Sequence, residues 1–206
     1  MPKFVDHEAR REEIVEAVWR LVAREGFSAV TMRDLAAELG FSNGSLARYF
    51  PTKAAILRAS LERANAATNR RAAAAIGDRG GLEAFRLLCI EIMPLDREKL
   101  DEARVVVAFW NYAVGDDDLI TVFDAAMREW RLRLGDYLSQ AARDHEIEVG
   151  HDLDLVVDTA MAMLMGLQIN ALFSAASTTP ERQLRMLDGL IAELRRPLRA
   201  ASPTSP

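Results

Sequence analysis

Apolar residues recur along most of this chain at intervals of three and four, the period of one helix face, and strand-like alternation is missing. In the first stretch Ile14, Ala17, Val18, Leu21 and Val22 follow that spacing, and Gly26 supplies a C-terminal stop. Thr31 stands as the N-cap of a second helix, with Asp34 three residues on and Leu35, Ala36 and Leu39 on its inner face; Gly40 ends it. Ser42 caps a short third helix, and Thr52 caps a fourth that runs to about Gly77. Beyond Gly80 and Gly81 the spacing predicts helices over 81–93, 97–115, 118–145, 152–176 and 180–195. Pro51, Pro94, Pro180 and Pro197 fall where helices begin or end. The expectation is an all-α fold of about nine helices without repeats, with a small, polar, proline-rich tail at 199–206 that is expected to be disordered.

The third helix breaks the pattern. In FSNGSLARYFPTK, residues 41–53, only Leu46 and Phe50 are placed to fill a core, while Ser42, Asn43, Ser45, Arg48 and Tyr49 are left for an outer face. The chain holds 31 acidic residues in 206, yet none lies between Leu39 and Leu61, where about three or four would be expected at the average frequency. Arg48, Lys53 and Arg58 fall inside that window. The net charge of −5 therefore hides an asymmetry: residues 1–53 carry eight cations and eight anions, and the remainder is acidic.

Helix two, the turn around Gly40 and Phe41, and helix three have the dimensions of a helix-turn-helix, with helix three in the recognition position. A helix lying against phosphates is repelled by carboxylates and needs donors for base edges and phosphate oxygens. Gly44 permits close approach of the backbone to DNA or to helix two. Thr31 and Arg33 are placed to clamp the flanking phosphate backbone, and Lys53 to reach another phosphate.

The C-terminal helices suggest self-association. On the helix at 152–176, Met161, Met165, Gln168 and Leu172 share one side, and Ala162, Gly166, Asn170 and Ser174 run along the other, where small residues admit a second helix. Leu184, Leu187, Ile191 and Leu194 form a coiled-coil-like seam on the last helix, so a homodimer through these two helices is expected. No charged residue occurs from Thr159 to Pro180, a run long enough to raise a membrane span. Thr159, Gln168, Asn170 and several alanines favour a helix buried on more than one side instead, and no membrane partner is expected.

Enzyme readings lack parts. The single cysteine, Cys89, sits in an apolar run and suits a reducing cytoplasm, and MPKFVDHEARREE has no apolar run that would read as a secretory signal. DHEIEVGHDLD at 144–154 gathers His145, Glu148, His151, Asp152 and Asp154, but its spacing matches no defensible metal-ligand pattern and reads as an acidic interhelix loop. No cofactor, metal or catalytic residue is expected. A helical protein-interaction adaptor, or less readily a small helical enzyme, stays open on these grounds.

The N-terminal residues resemble the TetR family of transcriptional repressors, through IVEAVWRLVAREGF at 14–27, VTMRDLAAELGFSNGSL at 30–46 and YFPTK at 49–53. The resemblance implies DNA contacts at Thr31, Arg33, Ser45, Tyr49 and Lys53, core roles for Leu46 and Phe50, a double-stranded operator as partner, and dimerisation through the last two helices. Many members carry a tyrosine immediately after the leucine of helix three, where this chain has Ala47. The expected division is 1–53 for DNA binding, with the helix at 53–77 as connector, and 54–198 for ligand binding and dimerisation.

In such a regulator a small-molecule cavity is expected among Phe85, Cys89, Met93, Phe109, Trp110, Tyr112, Phe123, Met127, Trp130, Met161 and Met165, with Gln168 as a polar anchor. The run VVVAFWNYAVGDDDL at 105–119 is similar, more loosely, to the C-terminal domain of choline-responsive bet-operon repressors, which implies an aromatic cage for a quaternary ammonium.

Overall fold

The computed structural model describes residues 7–25 and 31–197; Gly26 and the tail at 199–206 lie outside them. The described chain is helical: α1 (His7–Glu25), α2 (Met32–Glu38), α3 (Asn43–Tyr49), α4 (Lys53–Ile76), α5 (Gly81–Ile92), α6 (Arg97–Ala113), α7 (Asp117–Arg143), α8 (Leu153–Phe173) and α9 (Pro180–Leu194), with a single 3-10 turn at Ala175–Ser177. All-α architecture and helix order follow the hydrophobic spacing.

Local chemistry sets the boundaries of the short helices. Thr31 closes a capping box at the start of α2: its hydroxyl accepts from the Asp34 N–H, while the Asp34 carboxylate accepts from the Thr31 N–H at 2.9 Å. The other end is a Schellman turn, in which the Phe41 N–H reaches the Ala36 carbonyl at 2.8 Å and the Gly40 N–H reaches Ala37 at 3.1 Å. Gly40 makes the turn at φ +66°, a left-handed backbone that a Cβ would strain. Ser42 then caps α3 by accepting from the Ser45 N–H at 3.1 Å, and Thr52 caps α4 through the Ala55 N–H at 3.1 Å.

Packing divides the chain into two compact units, Met1–Thr68 with Asp96–Ala126, and Asn69–Leu95 with Met127–Pro206. These units cut across the sequence, because α6 and the start of α7 return to pack with α1. In the first unit Ile14, Val18, Leu21 and Val22 of α1 meet Leu35, Leu46, Phe50, Ile56, Leu57, Val105 and Phe109 in one buried cluster. Thr68 of α4 donates to the buried Glu102 carboxylate of α6 at 3.3 Å.

The second unit is built around α5, buried along nearly its whole surface through Leu82, Ala84, Phe85, Leu88, Cys89 and Ile92. Both α8 and α9 pack on it. Its N-terminus lacks a side-chain cap of its own. The Glu146 carboxylate supplies one from far along the chain, accepting from the Leu82 N–H at 2.7 Å. The acidic loop expected around His145 to Asp154 thus works structurally: Ile147 is buried, the Glu148 N–H bonds the Leu194 carbonyl at 2.9 Å, and Asp152 caps α8. Asn69 of α4 joins α7, with its carbonyl oxygen accepting from the Trp130 indole at 3.1 Å and from Arg133 at 2.9 Å.

By length and composition α8 could cross a membrane, and 44% of its apolar window is buried inside the chain. Within the chain it is therefore buried on one side, the side expected to face the chain's own core. The seam of α9 also points inward: Leu187, Ile191 and Leu194 are buried in the chain's own core and Leu184 is half-buried. An amphipathic stripe satisfies a neighbour within the protomer as readily as a partner, which is why spacing assigned it to the dimer.

Two glycines of the first unit should respond oppositely to alanine. Gly40→Ala forces a left-handed backbone and should lower stability by about 1 kcal/mol. Gly44 lies within α3 with nothing within 4 Å of an added methyl, so Gly44→Ala should raise stability by about 0.5–1 kcal/mol. Urea unfolding of both variants checks the signs; equal shifts would contradict the turn geometry.

Candidate nucleic-acid interface and sensor core

The third helix is held from behind. Leu46 and Phe50 are fully buried, as their spacing required. Arg11 of α1 adds a contact that no local pattern announces: its guanidinium donates to the Tyr49 carbonyl at 2.8 Å and lies 4.4 Å over the Phe50 ring. A cation at the last turn of α3 also complements the negative end of its dipole. Arg10 lies 4.8 Å over Phe41, and the His7 ring packs at a tilt against Tyr49 with ring centroids 5.4 Å apart.

These contacts revise the outer face. The Tyr49 ring is half-buried between His7 and Phe41, the latter edge-on at 6.1 Å, so it is a packed residue and not a freely projecting one. The Ser42 and Ser45 hydroxyls bond each other at 2.8 Å, and Thr31 is occupied by Asp34. In the free protein, Thr31 and Ser42 are thus helix caps first. The side chain of Asn43 lies outside the described residues. Gly44, Ala47 and Arg48 are exposed, and the space beside Gly44 is open; it does not serve contact with α2, one of the two roles its size suggested.

Arg33 is exposed at the start of α2, and Lys53 is half-buried at the start of α4. Burial holds the Lys53 ammonium below the usual lysine range. On α2, hydrogen bonds from the Thr31 hydroxyl and then its N–H hold the Asp34 carboxyl below the usual carboxylate range. Asp34 keeps its charge close to Thr31, while the neighbouring Arg33 is exposed. The Arg58 charge is shared with Glu62 at 3.2 Å.

The expected cavity residues divide between the two cores. Phe85, Cys89, Met93, Trp130 and Met161 are buried in the second unit with Met127 packed against them, and Met165 is half-buried on α8. Phe109, Trp110 and Phe123 belong to the core of the first unit, where Trp110 meets Phe123 edge-on at 5.9 Å; Tyr112 is 40% exposed. Periodicity identified each stripe as inward-facing but could not say inward to what. Gln168 is not a free anchor: its amide donates to the Ile92 carbonyl at 2.6 Å, tying α8 to the end of α5. The Trp110 indole N–H is buried with no partner among the described residues. Burial pushes the Cys89 thiol up to about 12, which makes it an inert packing group.

The outer side of α8 carries large apolar residues as well as small ones. Leu155, Thr159, Ala162, Gly166, Ile169 and Phe173 succeed one another by fours and threes, and all are exposed or half-exposed. Phe173 is 77% and Leu155 62% exposed, an unusual density of apolar side chains for a helix facing water. Asn170 and Ser174 flank this seam.

Comparison with known proteins agrees with the geometry. Residues 14–60 match the N-terminal model of the bacterial regulatory proteins of the tetR family, and residues 81–196, more than half the chain, match that of the BetI-type transcriptional repressor C-terminal domain. The HTH-type transcriptional regulator PksA of Bacillus subtilis is 27% identical over 188 residues, spanning 91% of this chain and 90% of that protein. A transcriptional regulator from Saccharomonospora viridis, solved in complex with choline, superposes with a TM-score of 0.81 at 24% identity over 90% of this chain and 96% of its own. A regulator from Rhodococcus sp. Rha1 gives 0.78 at 22% identity over 89% and 95%. At these identities the structural likeness establishes the fold alone. The chain belongs to the TetR family of DNA-binding, non-enzymatic transcriptional regulators, and its C-terminal part is of the BetI repressor type.

Proposed function

We propose that this regulator represses transcription from the cytoplasm, holding a palindromic operator as a homodimer and leaving it when a small molecule binds. The observation that carries the reading is α3, anchored by Leu46 and Phe50, free of carboxylates from Leu39 to Leu61, and presenting Gly44, Ala47 and Arg48 outward. Arg33, Lys53 and the tip of Tyr49 serve the phosphates, with Thr31, Ser42 and Ser45 framing the helix starts. Residues 1–53 thus serve DNA, α4 connects, and 54–198 serve ligand and dimer.

In a palindromic complex the two copies of α3 enter major grooves about 34 Å apart. Effector binding then need only favour a dimer with a different spacing, a shift of population set by the ligand's differential affinity. The seating of α6 on α1 in one buried core supports such coupling, since a movement of α6 carries the DNA-binding helices with it. The apolar seam of α8, from Leu155 to Phe173, is assigned to the homodimer, with Ala162 and Gly166 at its centre.

Two substitutions separate readout from attraction. Arg48→Ala should weaken operator binding roughly tenfold or more, while Lys53→Ala should weaken all sequences alike and reduce the salt slope by about one. Tyr49→Phe removes the hydroxyl without the packing cost of alanine. Anisotropy titrations across salt concentrations measure both effects; full affinity in an Arg48→Ala, Lys53→Ala double variant would move the interface away from α3.

Gly166→Leu tests the dimer face. Beyond its own helix backbone and chain neighbours, no described atom lies within 4 Å of a Cβ built there, so a larger side chain is expected to crowd a partner before it crowds the monomer. Sedimentation should show a helical monomer with weakened operator binding, and a stable dimer would place the interface elsewhere.

The BetI-type match and the choline complex of the S. viridis regulator make choline and betaine aldehyde the first effectors to try. A true effector should change tryptophan fluorescence and stabilise the fold by RT ln(1 + [L]/Kd), about 2.7 kcal/mol at a hundred times Kd. It should also weaken operator binding reciprocally. A flat melting curve and unchanged DNA affinity with both compounds would remove quaternary ammonium from the proposal.

A further inference from the structure

Residues 44, 47 and 48 stand at i, i+3 and i+4 on α3, so they share one helix face, and all three are exposed. The face is almost bare. Gly44 has no side chain and open space around it, and Ala47 offers one methyl group. The neighbouring polar groups are engaged: Ser42 bonds Ser45, and the Tyr49 ring is packed on His7 and Phe41. Of the described side chains on this helix, Arg48 projects with its guanidinium held by no described neighbour.

We propose that sequence readout in this protein centres on a two-residue step, with Arg48 pairing to a guanine and Ala47 packing on the methyl group of an adjacent thymine. This rests on the reading of α3 as the recognition helix. In the major groove, guanine shows two acceptors, N7 and O6, side by side, and a guanidinium fork meets both with parallel N–H bonds. Ala47 has no polar side-chain atom, so it discriminates through apolar contact alone, and the 5-methyl group of thymine is the apolar group on the groove floor. Gly44 lets the backbone sink towards the bases, which brings a side chain as short as alanine into contact. The same face disfavours cytosine as a directly read base, because its amino group seeks a carboxylate acceptor and the chain has none from Leu39 to Leu61.

The proposal is tested on the full-length dimer, first by selecting bound duplexes from a random pool. The expected half-site contains a guanine adjacent to a thymine, and exchanging that G·C pair for A·T should cost about tenfold. Two base analogues then address single atoms. Replacing the guanine by 7-deazaguanine should weaken the wild type and leave Arg48→Ala indifferent. Replacing the thymine by deoxyuridine, which deletes the methyl group, should weaken the wild type about fourfold and leave Ala47→Gly indifferent. Gly44→Ala should lower the affinity and narrow both differences while remaining folded.

If Arg48→Ala loses affinity equally on every sequence and on the deaza duplex, Arg48 is a phosphate contact and the readout proposal is overturned, with α3 still at the DNA. If Arg48→Ala and Gly44→Ala both bind every duplex as the wild type does, α3 itself is not the recognition helix. Indifference of the wild type to deoxyuridine would overturn the role of Ala47.

Discussion

A seven-residue helix has too few internal hydrogen bonds to hold its shape in water, and the helix proposed to read DNA is such a helix. Its existence depends on being docked. Leu46 and Phe50 bury its inner side against α1, α2 and α4, and Arg11 grips its last carbonyl while covering the Phe50 ring. The Schellman turn at Gly40 sets the angle at which the chain leaves α2, and Ser42 caps α3 four residues after the end of that helix. Because docking does the stabilising, the outer surface need not, and it is free to be nearly empty.

That arrangement joins the reading head to the body of the protein. The core that docks α3 also contains Val105 and Phe109 of α6 and Leu119 of α7, so the helix-turn-helix is not an appendage on a linker. In the other unit α5 is encased by its neighbours, and polar ties fasten the elements around it: Gln168 to the Ile92 carbonyl, Arg71 to Glu91 at 3.1 Å, and Arg86 to Asp188 at 2.9 Å. Both α4 and α7 contribute residues to each unit, α4 on either side of Thr68 and α7 on either side of Ala126.

What the sequence disclosed, and what it hid, follows from the range of the interactions. Caps and turns act over three or four residues, so Thr31, Gly40, Ser42 and Thr52 could be placed from their neighbours alone. The period of each stripe told which side of a helix was apolar. It did not tell which core received that side: Phe109, Trp110 and Phe123 went to one unit and Phe85 and Trp130 to the other, while Leu187, Ile191 and Leu194 turned into their own protomer. The outward seam of α8 is half legible: the small residues Ala162 and Gly166 mark a close helix approach, whereas in sequence Leu155, Ile169 and Phe173 look no different from core residues. Arg11 on Tyr49 and Glu146 on Leu82 join residues 38 and 64 positions apart, and no local pattern encodes such a pairing.

The burial of Cys89 has a practical consequence. Its thiol carries almost no thiolate at neutral pH, being raised to about 12, and its side chain has no solvent-facing surface, so alkylating reagents meet no competing nucleophile in the folded protein. A cysteine introduced on the exposed surface, for example Ala37→Cys on α2, would carry a spin label or fluorophore alone. In a homodimer each chain then bears one probe at an equivalent place, and the distance between the two becomes a direct ruler for the separation of the reading heads.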